Sequence, residues 1–368
     1  MTMDFIIVAV CAACISYTLT YGVRFFALRL GIVDAPGESR KIHRKPTPLL
    51  GGIAVYSALV AMIVLYFFFR PESWHSITDA HVHPKHLVGI LVGGFFLVFG
   101  GVLDDKFRLG PRTQVIWPIL SILAVIIFGI GVEVISNPFG GVIHLDAYKV
   151  LLLWWNDLPR YFTVIADMLT VIWLMGTIYT TKLLDGLDGL VSGVTVIGMS
   201  IIAIISAFFF INYPTAILAT MTAGVFLGFL FWNFYPAKIF LGESGSTLAG
   251  YLLGVFAIVS GAKFATLLLI LGIPILDAAW VIIRRILIEK RSPFTGDRKH
   301  FHFRLLDSGF SHRSSVLLLY FFSASFGILG LFLQSSQKIL ALIILGILML
   351  VGGVLLVRRQ QKYRQRYG

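Results

Sequence analysis

Long apolar runs, too poor in charge to keep a surface in water, constrain this chain more than any other feature. Hydrophobic residues make up 58% of its 368 positions and charged residues 13%, where a soluble domain carries roughly 25% charged residues. A helix that crosses a hydrocarbon core of about 30 Å needs about 20 apolar residues. Such stretches lie near 3–23, 49–69, 86–103, 113–131, 161–181, 189–210, 215–232, 244–260, 264–283, 314–333 and 338–357. Backbone polar groups in a bilayer must be satisfied within their own segment. The expected fold class is therefore all-α, a polytopic transmembrane helix bundle of about 11 spans. The first run matches a signal peptide in length, but Asp4 stands where a basic region belongs and no small-residue cleavage site follows, so it reads as a retained span. Cys11 and Cys14 fall inside that run and read as small core or lipid-facing residues, not as a disulfide or metal pair.

The net charge of +12 would suit nucleic acid, but its placement argues against that partner. Segments 24–48, 104–112, 182–188, 233–243, 284–313 and 358–368 hold 24 of the 30 Lys and Arg residues; the segments between them hold Arg70, Lys85, Lys149, Arg160, Lys263 and Lys338. Basic loops mark the cytoplasmic side. The expected topology puts the N-terminus outside and the C-terminus in the cytoplasm. One transmembrane domain covers 1–357, with cytoplasmic loops at 24–48, 104–112, 182–188, 233–243 and 284–313, followed by a basic tail, 358–368. That tail suits anionic lipid head groups, and serves equally as a topology signal.

Acids in a membrane chain are costly and by default mark function. Asp104 and Asp105 close the third run, Asp185 and Asp188 sit in Asp185-Gly-Leu-Asp-Gly-Leu190, Glu243 lies in Gly242-Glu-Ser-Gly-Ser246, and Asp277 lies inside a run beside Pro274. Four run ends, that of Asp277 included, are thus expected to point carboxylates at one plane, on the side of the basic loops. Asp185 and Asp188 are three apart, a spacing that shares one face if the segment is helical. Paired carboxylates raise each other's pKa unless a cation sits between them, and oxygen-only ligands with substrate phosphates suit Mg²⁺. Adjacent Asp104 and Asp105 cannot both face one site on a regular helix, so one is expected to point inward while the other orients a partner such as Lys106. Structural alternatives are a helix start that favours acids and, for Asp277, a buried polar pair.

The segment 284–313 carries Arg298, Lys299, His300, His302 and Arg304, a dense cationic element suited to a pyrophosphate. His300 and His302 are two apart, which places them on one side of an extended segment. A zinc site is the weaker reading, since no cysteine is near and neither histidine has a partner four residues away. His75, His81, His83 and His86 lie across the expected membrane from every other candidate and read as a solvated loop.

Ordered blocks in this sequence resemble the polyprenyl-phosphate N-acetylhexosamine-1-phosphate transferases. They are Val33-Asp-Ala-Pro36 with Arg40-Lys-Ile-His43 and Pro48-Leu-Leu-Gly-Gly52, then Asp104-Asp-Lys106, Asp185 to Leu190, Asn233 to Ser246, and Asp297 to Arg313. The resemblance implies a bundle of ten or eleven helices with a cytoplasmic Mg²⁺-dependent site, Mn²⁺ being a substitute. It implies transfer of a HexNAc-phosphate from a UDP-sugar to undecaprenyl phosphate with release of UMP. The short Asp-x-x-His-x-His form is similar to the branch that uses UDP-GlcNAc to start teichoic-acid, O-antigen or related glycans, more than to the branch that builds peptidoglycan lipid I. By this resemblance Glu243 with Asp185 or Asp188 holds the metal, Asp104 or Asp105 assists attack, and His300, His302, Arg298 and Arg304 stabilise departing UMP. Arg44, Lys45, Lys106, Lys182 and Asn233 contact substrate. Tyr179 and Lys182 stand where the family has asparagines, Glu243 where it has aspartate, and Phe303 where it has histidine.

Rival classes are a secondary transporter, which should carry its acids near the midplane in two related halves, and a CDP-alcohol phosphotransferase, whose further spaced aspartates are missing from 190–198. Expected partners are undecaprenyl phosphate, a UDP-sugar and membrane lipids, without nucleic acid, and a homodimer is left open. The expected location is a bacterial inner membrane, multi-pass, with the site facing the cytoplasm.

Overall fold

The computed structural model describes residues 2–35, 46–71, 83–137, 140–155, 158–261, 264–290 and 300–367. Every expected span overlaps one helix or, at 264–283, a bent pair, although 161–163 are strand; one further short helix lies outside them. In chain order these are α1 (Thr2–Arg29), α2 (Gly51–Phe69), α3 (Pro84–Phe107), α4 (Pro111–Ile127), α5 (Val164–Leu184), α6 (Leu190–Ile204), α7 (Tyr213–Asn233), α8 (Gly242–Val259), α9 (Phe264–Ile270), α10 (Gly272–Ile283), α11 (Phe301–Asp307), α12 (His312–Phe332) and α13 (Ser335–Tyr367). Among the described residues nine helices are long and apolar enough to cross a membrane. The α9–α10 pair passes that test only together, bent by 80°, and α4 is apolar but shorter. The chain is a polytopic helical membrane protein.

Three small antiparallel sheets add local order that the hydropathy pattern does not reveal. β1 (Val33–Asp34) pairs with β2 (Thr47–Pro48), β3 (Val134–Ser136) with β4 (Val142–His144), and β5 (Lys149–Trp155) with β6 (Leu158–Thr163). The last hairpin is rich in the β-branched and aromatic residues that favour strands.

The centre of the bundle is α8, whose residues from Ser244 to Ile258 are all buried. It packs on α3, α5 and α2, while α1 lies on α7 and α6 on α7. Helices associate in lipid by close packing rather than by expelling water, and the α3–α8 contact shows how. An added Cβ on Gly101 would run into the backbone and side chain of Ser244. Further along, Tyr251 on α8 donates its hydroxyl to the Ile90 carbonyl on α3 at 3.0 Å. The start of α2 is fixed as well: its free N–H groups at Gly51 and Gly52 donate to the carbonyls of Phe240 and Leu241 at 3.1 and 3.0 Å.

Gly101→Ala should therefore separate α3 from α8. Overpacking of this kind costs about 1–3 kcal/mol, read as a lower midpoint of thermal unfolding in detergent. An unchanged midpoint would mean the two helices do not depend on this contact.

Candidate active site

Asp105 lies in the last turn of α3 and faces the first turn of α8. Its carboxylate accepts the Glu243 backbone N–H at 3.0 Å and the Ser244 hydroxyl at 3.4 Å. A helix start carries unpaired N–H groups and positive potential, so a carboxylate there satisfies both. Asp104 turns the other way. One of its oxygens accepts the Leu109 N–H at 2.8 Å and the Gln114 side-chain amide at 2.9 Å, which fixes the short turn into α4. Two adjacent acids thus take different partners, as a helix requires, although the partner is Gln114 rather than Lys106. The Lys106 side chain is exposed, with its ammonium 5.2 Å from the Phe107 ring centre.

Asp185 and Asp188 do not share a helix face. The helix ends at Leu184, and the segment up to Gly189 is a turn, with Gly189 in the left-handed region at φ 81° before α6 begins. Glycine adopts that conformation at no steric cost, and here it overrides the helical spacing. Asp188 accepts the Ala237 N–H at 2.9 Å, tying this turn to the loop after α7. No partner is found for the Asp185 carboxylate among the described residues. Asp185 is an exposed residue, although protein packs closely around its carboxylate. Burial, followed by the fields of Asp105, Glu243 and Asp188, pushes its carboxyl up to about 8.

Glu243 borders a small crevice lined also by Asp104, Gln114, Trp117 and Thr247, whose free volume of about 10 Å³ is close to that of one water molecule. One carboxylate oxygen meets the Lys182 ammonium at 2.6 Å. That ammonium also donates to the Gln114 side-chain oxygen at 3.0 Å and lies 5.6 Å from the Tyr179 ring centre. The residues that stand in place of the family's two asparagines and its aspartate therefore form one cluster.

The histidine pair approaches from α11. His300 and Phe301 are both anchored by Asp277: the His300 Nδ1 is 2.8 Å from one carboxylate oxygen, and the Phe301 N–H donates to the other at 2.9 Å. Asp277 thereby caps α11 from a neighbouring helix. The expected extended segment is helical from Phe301, yet the His300 and His302 rings lie parallel within 3°, their centres 5.6 Å apart. His302 is buried against Gly186, where its Nε2 leaves no room for a side chain. That nitrogen has no hydrogen-bond partner among the described residues. Burial, with His300 and His312 nearby, lowers the His302 pKa to about 3, so the ring is neutral near pH 7. Phe303 is tilted against it, ring centres 4.3 Å apart. Arg304 is half-buried one turn along α11.

Asn233 ties the end of α7 to the following loop. It accepts the Ser192 hydroxyl at 2.7 Å and donates to the Ile239 carbonyl at 3.0 Å. Arg44, Lys45 and Arg298 lie outside the described residues, as do His75 and His81. His83 and His86 sit at the opposite end of α3 from Asp105.

Gln114 escapes the sequence reading, though a lone amide in an apolar helix is a usable signal. Tyr235 and His312 escape it too: their rings stack with centres 4.2 Å apart, and both His312 nitrogens are buried without partners among the described residues.

A sequence model described as glycosyl transferase family 4 matches residues 87–261. Over 337 residues the chain is 32% identical to a "probable undecaprenyl-phosphate N-acetylglucosaminyl 1-phosphate transferase" of Bacillus subtilis, an alignment covering 89% of this chain and 84% of that protein. The chain belongs to this family. A decaprenyl-phosphate N-acetylglucosaminephosphotransferase of Mycolicibacterium smegmatis is 32% identical over 342 residues, 85% of this chain and 78% of its own length. A phospho-N-acetylmuramoyl-pentapeptide-transferase of Desulforamulus reducens is 33% identical over 307 residues, 81% and 85% respectively. The family match covers the acidic residues from Asp104 to Glu243 and stops before His300.

Asp277→Ala should release α11 from its anchor. Hydrogen exchange at amides 300–307 is expected to speed up, with a stability loss of about 1.5–3 kcal/mol, typical of hydrogen bonds to a charged group. Unchanged exchange there would separate Asp277 from the placement of the histidines.

Proposed function

We propose that this chain transfers N-acetylhexosamine-1-phosphate, GlcNAc-1-phosphate by preference, from a UDP-sugar to undecaprenyl phosphate with release of UMP. The reaction would be the first membrane step of a cell-envelope glycan such as teichoic acid or O-antigen. The observation that carries the reading is the convergence of Asp105, Asp185, Asp188 and Glu243, from separate chain segments, beside His302. The printed activities of the Bacillus and Mycolicibacterium relatives support the same substrate class. The bias of 24 Lys and Arg residues among the loops supports a site on the cytoplasmic face of a bacterial inner membrane, with the N-terminus outside and the C-terminus inside.

The donor set fits Mg²⁺. It is made of oxygens, and the Asp185 carboxyl is raised by burial first and by the neighbouring acids second, both of which a bound cation would offset. Among the described residues no three His, Cys, Asp or Glu side chains stand as a ready-made ligand group. Mg²⁺ asks for less, using one or two carboxylates together with substrate phosphates and water. Asp185 and Glu243, with Asp188 beside them, would hold it. When bound it supplies positive charge to the pyrophosphate oxygens.

In the transfer, an oxygen of the lipid phosphate forms a bond to the β-phosphorus of the UDP-sugar, and the bond from that phosphorus to the bridging oxygen breaks. The bridging oxygen leaves with UMP. A phosphate monoester is largely ionised near pH 7, its second pKa being about 6, so the attack needs no carboxylate base. Asp104 and Asp105 act by position: one fixes the α3–α4 turn and the other the start of α8. His302, being neutral, offers a hydrogen bond rather than a charge to the departing phosphate, with His300 held beside it by Asp277. Arg304, and by sequence Arg298, suit the same anion. Arg44, Lys45 and Lys106 suit the lipid phosphate, and Asn233 holds the loop after α7.

Purified enzyme with Mg²⁺, undecaprenyl phosphate and a panel of UDP-sugars should release UMP from UDP-GlcNAc and not from UDP-MurNAc-pentapeptide. Asp185→Ala should lower that rate at least about a hundredfold, as loss of a group that holds transition-state charge does, while thermal unfolding stays cooperative. Full activity in Asp185→Ala removes it from the metal site, and no UMP from any donor sinks the transferase reading.

A further inference from the structure

Lys182 is held from several directions in a way that a freely solvated lysine is not. Its ammonium meets Glu243 at 2.6 Å and Gln114 at 3.0 Å, beside the Tyr179 ring. Gln114 is itself fixed, donating to Asp104 at 2.9 Å and to the Leu109 carbonyl at 3.1 Å. A chain of contacts therefore runs from α3 through α4 and α5 to Glu243 on α8. The side chains of Lys182 and Glu243 are only 22% and 19% exposed, so solvent screens the pair weakly.

We propose that Lys182 is a tethered counter-ion that competes with the divalent cation for Glu243 and so sets how tightly the site takes up that ion. The inference rests on the reading of Glu243 as an ion ligand. A divalent ion approaching Glu243 meets a fixed positive charge already hydrogen-bonded to one of its oxygens. To engage both oxygens, the ion must displace the ammonium or bind against its field. The displaced ammonium, with three donors and a flexible stem, is then free to turn toward an anionic phosphate. Removing the charge leaves Glu243 whole for the ion.

Mn²⁺ serves as probe, its binding to the full-length protein in detergent being followed through the electron paramagnetic resonance signal of the free ion, with no substrate present. Lys182→Met should bind Mn²⁺ about five-fold more tightly than the unaltered protein, a change on the scale of one weakly screened ion pair. Lys182→Gln carries the same expectation and guards against a fold lost on introducing methionine. Lys182→Arg, which keeps the charge, should not gain affinity. Glu243→Gln should weaken binding, and adding Lys182→Met to it should change nothing more. If Glu243→Gln binds as the unaltered protein does, the reading of Glu243 as a ligand falls and the inference falls with it. If Glu243→Gln binds weakly but neither neutral Lys182 variant binds more tightly, the inference alone is overturned. Absence of saturable Mn²⁺ binding in every variant overturns both.

Discussion

The candidate site depends on one carboxylate placed at one helix start. Asp105 at the end of α3 accepts the backbone N–H of Glu243 at 3.0 Å and the Ser244 hydroxyl. The first turn of a helix has N–H groups with no partner inside the helix, and packing against α3 limits access of other partners to this one. The same bond that answers this need fixes where Glu243 points. It also brings α3 close enough to α8 that Gly101 is pressed against Ser244. Structural and chemical demands meet in a single contact, and the cleft between Asp104 and Glu243 follows from it.

Acids crowded together must be neutralised, and this chain gives them different partners. Asp105 and Asp188 receive backbone donors, from Glu243 and Ala237. Asp104 receives a side-chain amide and a backbone N–H. Glu243 receives an ammonium. Asp185 alone has no partner among the described residues, and it is the acid whose carboxyl is pushed up to about 8.

Much of this was legible in the sequence because hydropathy and spacing act locally. Each apolar run overlaps helix, and Asp105, Asp185, Asp188 and Glu243 at the run ends lie near one another. Asp104 and Asp105 diverged as adjacent helical positions must. Legibility ended where a contact joins segments far apart in sequence. The Asp185–Asp188 spacing suggested one helix face, but Gly189 at φ 81° made a turn of it. The pair of His300 and His302 suggested an extended segment, yet Asp277 caps a helix there from 23 residues away. Gln114 is 68 residues from Lys182, and no local pattern joins them.

The three residues that depart from the family pattern around the acidic site support one another in space. The Glu243 carboxylate reaches Lys182 at 2.6 Å. An aspartate on the same backbone would be shorter by one carbon–carbon bond, about 1.5 Å. The contact would then open to roughly 4 Å, the edge of a useful ion pair. A lysine at 182 facing that shorter acid would lose its strongest partner while staying half-buried, which is costly for an ammonium. An asparagine at 182 facing Glu243 would leave the longer carboxylate without its cation. Lysine and glutamate are therefore each tolerable because the other is present, with the Tyr179 ring beside the ammonium adding its own attraction. What looks in the sequence like separate departures is, in the folded chain, one set of polar partners built around the Lys182 ammonium.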